Sequence, residues 1–299
     1  RDESTFILMA QSWVDGHLPY TQLWDLKPPV TFLYFALVIF TFGKSYFAIR
    51  LGGVLLVSCT SFFTYKIGRN IAPKKVAFWS ALILIALQSL FGSVQGVMSE
   101  HISMAFFMMG IYFTFFAAQK PYPFLGGLFL GLTLMSKLNL AYAVLGVFLY
   151  VLWNASRKGS IWHTSVFLGK TSLGILLVIL ATALPYSLEG SFPIWWESIF
   201  EASIAYSKDN DPNVLKVLPY VLGVLLFIAI AFKQRWLNLQ SPDIWILVFV
   251  TAGILFSFLQ TGKANGHYLI QLYPALILLI GIVVYNTKEF LRANFKIGL

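Results

Sequence analysis

Long apolar runs, each close to the length that crosses a lipid bilayer, recur from one end of the chain to the other. A helix needs about 20 apolar residues to span the hydrocarbon core, and about 17 can suffice. Nine segments approach this length: residues 47–65, 76–93, 101–118, 123–137, 138–153, 165–187, 216–232, 244–260 and 268–286. This pattern predicts an all-α fold, a polytopic transmembrane helical bundle with about nine spans.

The composition agrees with a chain that is solvated mostly by lipid. Charged residues make up 11% of the 299 residues, and hydrophobic residues make up 58%. Soluble domains carry about 25% charged residues. The net charge of +9 is then explained by basic loops on the cytoplasmic side of a membrane. We therefore expect membrane lipids as partners, and no nucleic acid.

Two apolar segments are expected to lie in the membrane interface. Residues 30–42 form a run of only 13 residues directly behind Pro28-Pro29, which is too short to span. In the loop at 188–215, Phe192, Trp196 and Ile199 share one face of a predicted helix, a pattern typical of interfacial helices.

The distribution of charge predicts the orientation of the bundle. If residues 30–42 do not span, five loops lie on one side, at 66–75, 119–122, 154–164, 233–243 and 287–299. With Lys170, they hold 13 of the 21 basic residues and two of the 12 acids. Because basic residues are enriched in cytoplasmic loops, this side is expected to be cytoplasmic.

The chain contains no linker that would divide it, so residues 1–299 are expected to form a single transmembrane domain. It opens without Met on Arg1-Asp2-Glu3-Ser4. We expect a first transmembrane helix, and a C-terminal part, to lie outside this sequence. Cys59 is the only cysteine, so a disulfide framework within the chain is excluded.

Ionisable groups are costly at a membrane edge, so their placement is informative. On the predicted outer side lie Asp2, Glu3, Asp25, Lys27, Arg50, Glu100, His101, Lys137, Lys263 and His267. Each has an ordinary explanation, such as a solvated terminus for the first two or a snorkelling side chain for a lysine. An acid in a first helical turn is also stabilised by the helix dipole.

Two of these groups have a more specific context. In Trp24-Asp25-Leu26-Lys27-Pro28-Pro29, the prolines fix an extended entry into the following helix. Asp25 and Lys27 are therefore held beside a rigid turn. Glu100-His101 could bind a divalent metal ion, although the pair lacks the spacing of an established metal motif.

The order of these pieces resembles the GT-C glycosyltransferase superfamily, in particular its bacterial protein-O-mannosyltransferase-like family. That group includes lipid A aminoarabinose transferases and lipopolysaccharide-core sugar transferases. The resemblance is strongest over residues 1–53 and continues through Phe47-Ala48-Ile49-Arg50-Leu51, Ser99-Glu100-His101 and Gly266-His267-Tyr268 to Tyr273-Pro274-Ala275.

The resemblance implies a polyprenyl-phosphate-linked sugar donor and an active site that faces the periplasm of a bacterial inner membrane. By position, Asp2 matches the catalytic acid of the first loop, with Glu3 beside it. Lys27 matches the lysine near the donor phosphate, and Glu100 falls where relatives place another acid. Relatives vary around Asp25, His101 and His267.

The chemistry of this reaction fits these residues. A phosphate is a good leaving group, so one carboxylate that takes the acceptor's proton is sufficient. Fixed cations must stabilise the growing phosphate charge, which suits Lys27 and Lys263, with Arg50 nearby or a divalent metal ion. The acceptor could be a glycan, a lipid or a protein.

Two other functions fit a polytopic bundle. A transporter or lipid flippase predicts ionisable residues near the middle of the membrane and helices broken at corresponding points of two repeats. A membrane scaffold predicts outer acids that are scattered and exposed. The sequence does not distinguish the sugar, the acceptor, the metal requirement or the oligomeric state.

Overall fold

The computed structural model describes residues 2–117, 120–158, 161–209, 214–262 and 265–295. In these ranges the chain forms helices joined by turns and loops, and it forms no strand. The helices are α1 (Asp2–Val14), α2 (Pro29–Phe42), α3 (Tyr46–Ile71), α4 (Lys74–Gln95), α5 (Ser99–Ile111), α6 (Pro123–Leu134), α7 (Ala141–Lys158), α8 (Ile161–Leu188), α9 (Phe192–Trp196), α10 (Ala202–Asp209), α11 (Val214–Lys233), α12 (Pro242–Thr261) and α13 (Leu269–Phe295). Short π-helical turns follow α5 and α9, and 3-10 turns precede α7 and α13.

Six helical segments in the described residues are long and apolar enough to cross a membrane, rather than the predicted nine. They are Tyr46–Ile71, Leu138–Arg157, Ile161–Leu188, Val214–Lys233, Pro242–Thr261 and Gly266–Glu289. Two of the other predicted spans are interrupted. The run 123–137 stays helical only to Leu134, and the run 101–118 changes from α-helix to a π-helical turn after Ile111. The third, 76–93, lies within α4, of which the described side chains end at Leu90.

The first 46 residues contain more regular structure than the outer loop that the sequence predicts. Phe6 on α1 is fully buried and packs edge-on against Phe32 and at a tilt against Phe35 of α2. The 14 residues of α2 extend about 21 Å, which is short of the bilayer core of about 30 Å. A buried aromatic contact therefore fixes the start of the chain against α2.

Helix α5 lies at the centre of the bundle. Eleven of its 13 residues are buried, and they divide between two hydrophobic clusters. Ile102 and Ala105 belong to a cluster with α1, α2 and the first half of α3. Met104 and Phe107 belong to a larger cluster with α7, α11, α12 and α13. Polar groups at the start of α5 are therefore enclosed by both halves of the protein.

Helices α6 and α8 pack closely against each other at Gly127 and Gly131. A Cβ atom at Gly127 would overlap the backbone of Thr171, and one at Gly131 would crowd Ile175 and Val178. Small residues at such positions permit close helix packing in membranes. This contact places the end of α6 beside the last turns of α8.

The loop after α8 forms the predicted surface helix with a different buried face. Trp195 and Ile199 are buried, whereas Phe192 and Trp196 are exposed. Trp195 and Ile199 are four residues apart and therefore share a helical face, which is next to the face that contains Phe192 and Trp196. The π-helical turn Glu197–Glu201 follows directly.

Candidate active site

The segment that contains Lys27 is held rigidly by its own backbone. The Lys27 N–H donates to Asp25 Oδ1 at 2.9 Å, and the Tyr20 hydroxyl donates to the Lys27 carbonyl. Pro28 is extended, and Pro29 is the first residue of α2, where a proline is well tolerated. Asp25 therefore orients the turn that presents Lys27, and we assign it no direct chemical role.

The break after α6 packs against the start of α2. The Met135 carbonyl accepts the Val30 N–H at 2.9 Å, and the Ser136 carbonyl accepts the Thr31 hydroxyl at 2.7 Å. These bonds satisfy a free donor in the first turn of α2. They also place Lys137 on a segment that is fixed to the segment of Lys27.

Glu100 is the fully buried centre of a group of charges. Its side chain is 0% exposed, it forms an ion pair with Lys137, and its Oε1 lies 3.6 Å from His267 Nε2. Its other oxygen accepts a hydrogen bond from the Ser99 hydroxyl at 3.1 Å. Burial would raise the pKa of Glu100, but Lys137, His267 and Lys27 outweigh it and lower this pKa to about 2. The carboxylate is ionised at physiological pH.

Two further charges approach this group from the first 27 residues. Lys27 interacts electrostatically with Glu100 and His267, and Asp2 interacts with His267. Asp2, Lys27, Glu100, Lys137 and His267 thus converge although they are remote in sequence, and we call them the ionic cluster. Neither Asp2 nor Lys27 forms an ion pair with a residue of the described ranges.

Glu3 differs from its neighbour because its carboxylate is fully engaged. Its Oε1 accepts the Val97 N–H at 2.8 Å, and its Oε2 lies 3.2 Å from Arg50 Nη2. Gly96 has a φ of +86°, and a Cβ atom there would overlap the Glu3 carboxylate. Glu3 and Arg50 therefore join the start of α1 to α3 and to the α4–α5 turn.

His101 is held by contacts within the protein. Its Nδ1 accepts the Met98 N–H at 3.0 Å, so its Nε2, which faces the Gln88 carbonyl at 3.3 Å, is the donor. This assigns the neutral imidazole, in agreement with a pKa that burial lowers. In the part of the chain that the structure describes, no three His, Cys, Asp or Glu side chains are grouped to hold a metal ion. The predicted Glu100–His101 metal pair gains no support from this geometry.

Lys263, the second predicted phosphate ligand, lies outside the described residues. Among the described residues, Lys137 is a lysine that forms an ion pair with Glu100. The sequence contained a signal for it, since Lys137 interrupts an apolar stretch whose two halves are each short for a span.

A separate acidic groove of about 410 Å³ has Trp24 in its wall. It is lined by Trp24, Ile194, Glu197, Ser198, Glu201, Ala202 and Ala205. The indole N–H of Trp24 donates to the Ser198 hydroxyl at 3.1 Å and fixes the ring. The two glutamates form no ion pair with a described residue.

An apolar groove of about 500 Å³ has Pro29, two residues after Lys27, among its lining residues. Its walls come from α1, α2, α6 and α8, and include Trp13, Val30, Leu33, Leu128, Leu132, Leu177, Val178 and Tyr186. An apolar groove of this size can hold a hydrocarbon chain.

A helical bundle with six helices long and apolar enough to cross a membrane has the architecture of a multi-pass membrane protein. Residues 26–186, just over half of the chain, match the family described as dolichyl-phosphate-mannose-protein mannosyltransferase. The chain belongs to this family, which is of the GT-C type.

A protein of Aquifex aeolicus (strain VF5), described as uncharacterized, is 25% identical to the chain over 286 residues. The match covers 91% of this chain and 63% of that protein. The chain thus spans less than two thirds of that relative's length. No solved structure matches the chain.

Proposed function

We propose that the protein transfers a sugar from a polyprenyl-phosphate carrier to an acceptor on the extracytoplasmic side of a bacterial inner membrane. The observation that carries this proposal is the convergence of Asp2 and Lys27 at the buried Glu100–His267 contact. Neither Asp2 nor Lys27 forms an ion pair with a described residue, so Asp2 can accept a proton and Lys27 can bind a phosphate.

In the proposed reaction, the acceptor hydroxyl gives its proton to Asp2 while its oxygen attacks the anomeric carbon. The bond between that carbon and the phosphate oxygen breaks, and its electron pair remains on the phosphate. The phosphate, which Lys27 binds in the donor, gains one negative charge in this step, and fixed cations must stabilise that charge. Glu3 is less suited to act as the base because Arg50 and the Val97 N–H occupy its oxygens.

The apolar groove supports a lipid-linked donor. The groove is lined in part by Pro29, two residues after Lys27, so a phosphate bound at Lys27 would lie near its apolar walls. The isoprenoid chain would bury its surface there, while the charged head stays at the ionic cluster. This division follows from the cost of placing a phosphate among hydrocarbon side chains.

The acidic groove supports a separate approach for the acceptor. Glu197 and Glu201 line this groove, and their negative charge repels an anionic donor phosphate. Their oxygens can accept hydrogen bonds from sugar hydroxyls. Trp24 offers an apolar ring face. We therefore place the acceptor between this groove and Asp2.

The orientation rests on charge. The ends of α3 and α7 that lie away from the ionic cluster contain Arg69 and Arg157, and the start of α4 contains Lys74 and Lys75. Because basic residues mark the cytoplasmic side, the cluster is proposed to face outward.

The test uses the whole protein in lipid nanodiscs with synthetic polyprenyl-phosphate mannose. Candidate acceptors are a serine-rich peptide, a glycolipid and a free oligosaccharide, followed by mass spectrometry. The expected result is equal amounts of polyprenyl phosphate and of one mannosylated acceptor. Movement of intact donor between the leaflets of a vesicle, without transfer, would instead support the lipid flippase alternative.

A further inference from the structure

Lys137 is buried in an ion pair that packing alone does not require. Its side chain is 10% exposed and that of its partner Glu100 is 0% exposed. A buried ion pair is often no more stabilising than apolar residues of similar volume, because both charges must leave water. The position of this pair, at the centre of the ionic cluster, therefore suggests a role beyond stability.

The surroundings fix where the Lys137 ammonium can lie. It contacts Glu100 and approaches the Ser99 hydroxyl at 3.5 Å, and it lies 5.2 Å from the centre of the Tyr268 ring. The backbone of Met135 and Ser136, just before it, is bonded to the first turn of α2. Lys137 and Lys27 thus act on the same carboxylate from two segments that are fixed to each other.

The proposed reaction requires more positive charge after bond breaking than before it. The bound donor is a phosphodiester with one negative charge, and the leaving polyprenyl phosphate has one more. Lys27 can balance the first charge. The additional charge appears only as the bond between carbon and oxygen breaks, so a second cation would act mainly in the transition state and on the product.

We infer that Lys137 is the second cation for the leaving phosphate and that Glu100 is a positioning residue that holds it. This inference rests on the proposed function. It gives Glu100 a role different from that of a base or a metal ligand, because its oxygens are occupied by Lys137, His267 and Ser99.

The test compares lipids that differ in phosphate charge. Lys137→Met leaves a buried carboxylate unpaired and is expected to destabilise the protein, so the informative variant is the double change Lys137→Met with Glu100→Gln. We expect this double variant to fold, to bind polyprenyl-phosphate mannose within about threefold of wild type, and to bind polyprenyl phosphate about tenfold more weakly. Turnover should fall by about 10²-fold.

Two conservative variants and one control complete the design. Lys137→Arg keeps the charge and should retain at least about a tenth of turnover, whereas Glu100→Asp should lower turnover by about tenfold with little change in donor binding. Lys75→Met changes an exposed lysine in the first turn of α4. It controls for the loss of a lysine away from the ionic cluster.

If the double variant keeps wild-type turnover, the Lys137–Glu100 pair is only structural and the inference is overturned. A failure of the double variant to fold, with Lys137→Arg folded but inactive towards both lipids, would overturn it too. The proposed function has its own readout in the same assay. If wild type transfers sugar and Asp2→Asn does not, the function stands whatever Lys137 does. If wild type transfers nothing, both proposals fail.

Discussion

The two ends of the bundle use charged residues in opposite ways. At the end where α1 begins, four charged or titratable side chains from distant segments lie around the fully buried Glu100. At the other end, two arginines make local contacts within their own helices. Arg69 donates to the Tyr65 hydroxyl, and Arg157 lies over the Trp153 ring.

This difference separates two functions of charge in a membrane protein. Exposed basic residues near the end of a span favour one orientation, and each can be replaced at little cost. A buried group of both signs is costly to assemble, so we expect it to contribute to binding or chemistry. The predictions below test whether the two ends differ as this comparison requires.

The largest effect is expected from Asp2→Asn. Asn keeps the size of the side chain but cannot take a proton, so turnover should fall by about 10²–10⁴-fold while donor affinity stays within about twofold. The measurement is single-turnover transfer together with separate donor binding. Asp15→Asn provides a control, since Asp15 is exposed just beyond the same helix. If Asp2→Asn turns over like this control, Asp2 is not the base.

Lys27→Ala should impair both binding and turnover. Its ammonium is assigned to the phosphate in the bound donor and in the transition state, so we expect donor affinity to fall about tenfold and turnover about 10²-fold. Lys44→Ala, at an exposed position after α2, is the matched change. Unaltered donor affinity in Lys27→Ala would show that the donor phosphate does not bind at this end of α2.

Replacing both Glu197 and Glu201 by Gln should affect the acceptor alone. The groove beside Trp24 would lose its negative charge but keep its shape, and the apparent acceptor constant should rise by about tenfold. Donor binding should not change, because the groove is assigned to the other substrate. Glu189→Gln, in an exposed turn after α8, is the control. An effect on donor binding would contradict this division.

A smaller effect on stability should distinguish Gly96 from Gly43. Both have a positive φ, of +86° and +78°, and Ala at such a position costs about 1 kcal/mol. A Cβ atom at Gly43 meets nothing within 4 Å, whereas one at Gly96 overlaps the Glu3 carboxylate. Gly96→Ala should therefore lower the melting temperature in detergent more than Gly43→Ala. Equal losses would show that the Glu3 contact adds no stability.

The sequence predicts the helical membrane architecture because long apolar runs leave few alternatives. It does not predict the number of spans, because Leu134 and Ile111 end regular helix within runs that remain apolar. Asp2, Lys27, Glu100 and His267 could be selected by their side of the membrane, and their roles remain predictions. Glu3 could not be separated from Asp2, because its partners Arg50 and Val97 are remote in sequence.

The smallest effect is expected at the basic end, from replacing Lys74 and Lys75 together by Ala. Both lysines are exposed, and α4 places them about 30 Å from the turn at Gly96. Surface charges at this separation are screened by salt, so turnover should stay within about twofold of wild type. What should change is the fraction of molecules that insert in the expected orientation. Cysteine labelling from each side of a sealed vesicle measures that fraction, and transfer by the correctly oriented molecules is measured in the same vesicles. A tenfold fall in their turnover would show that the basic end also contributes to the reaction, and the contrast between the two ends would then be wrong.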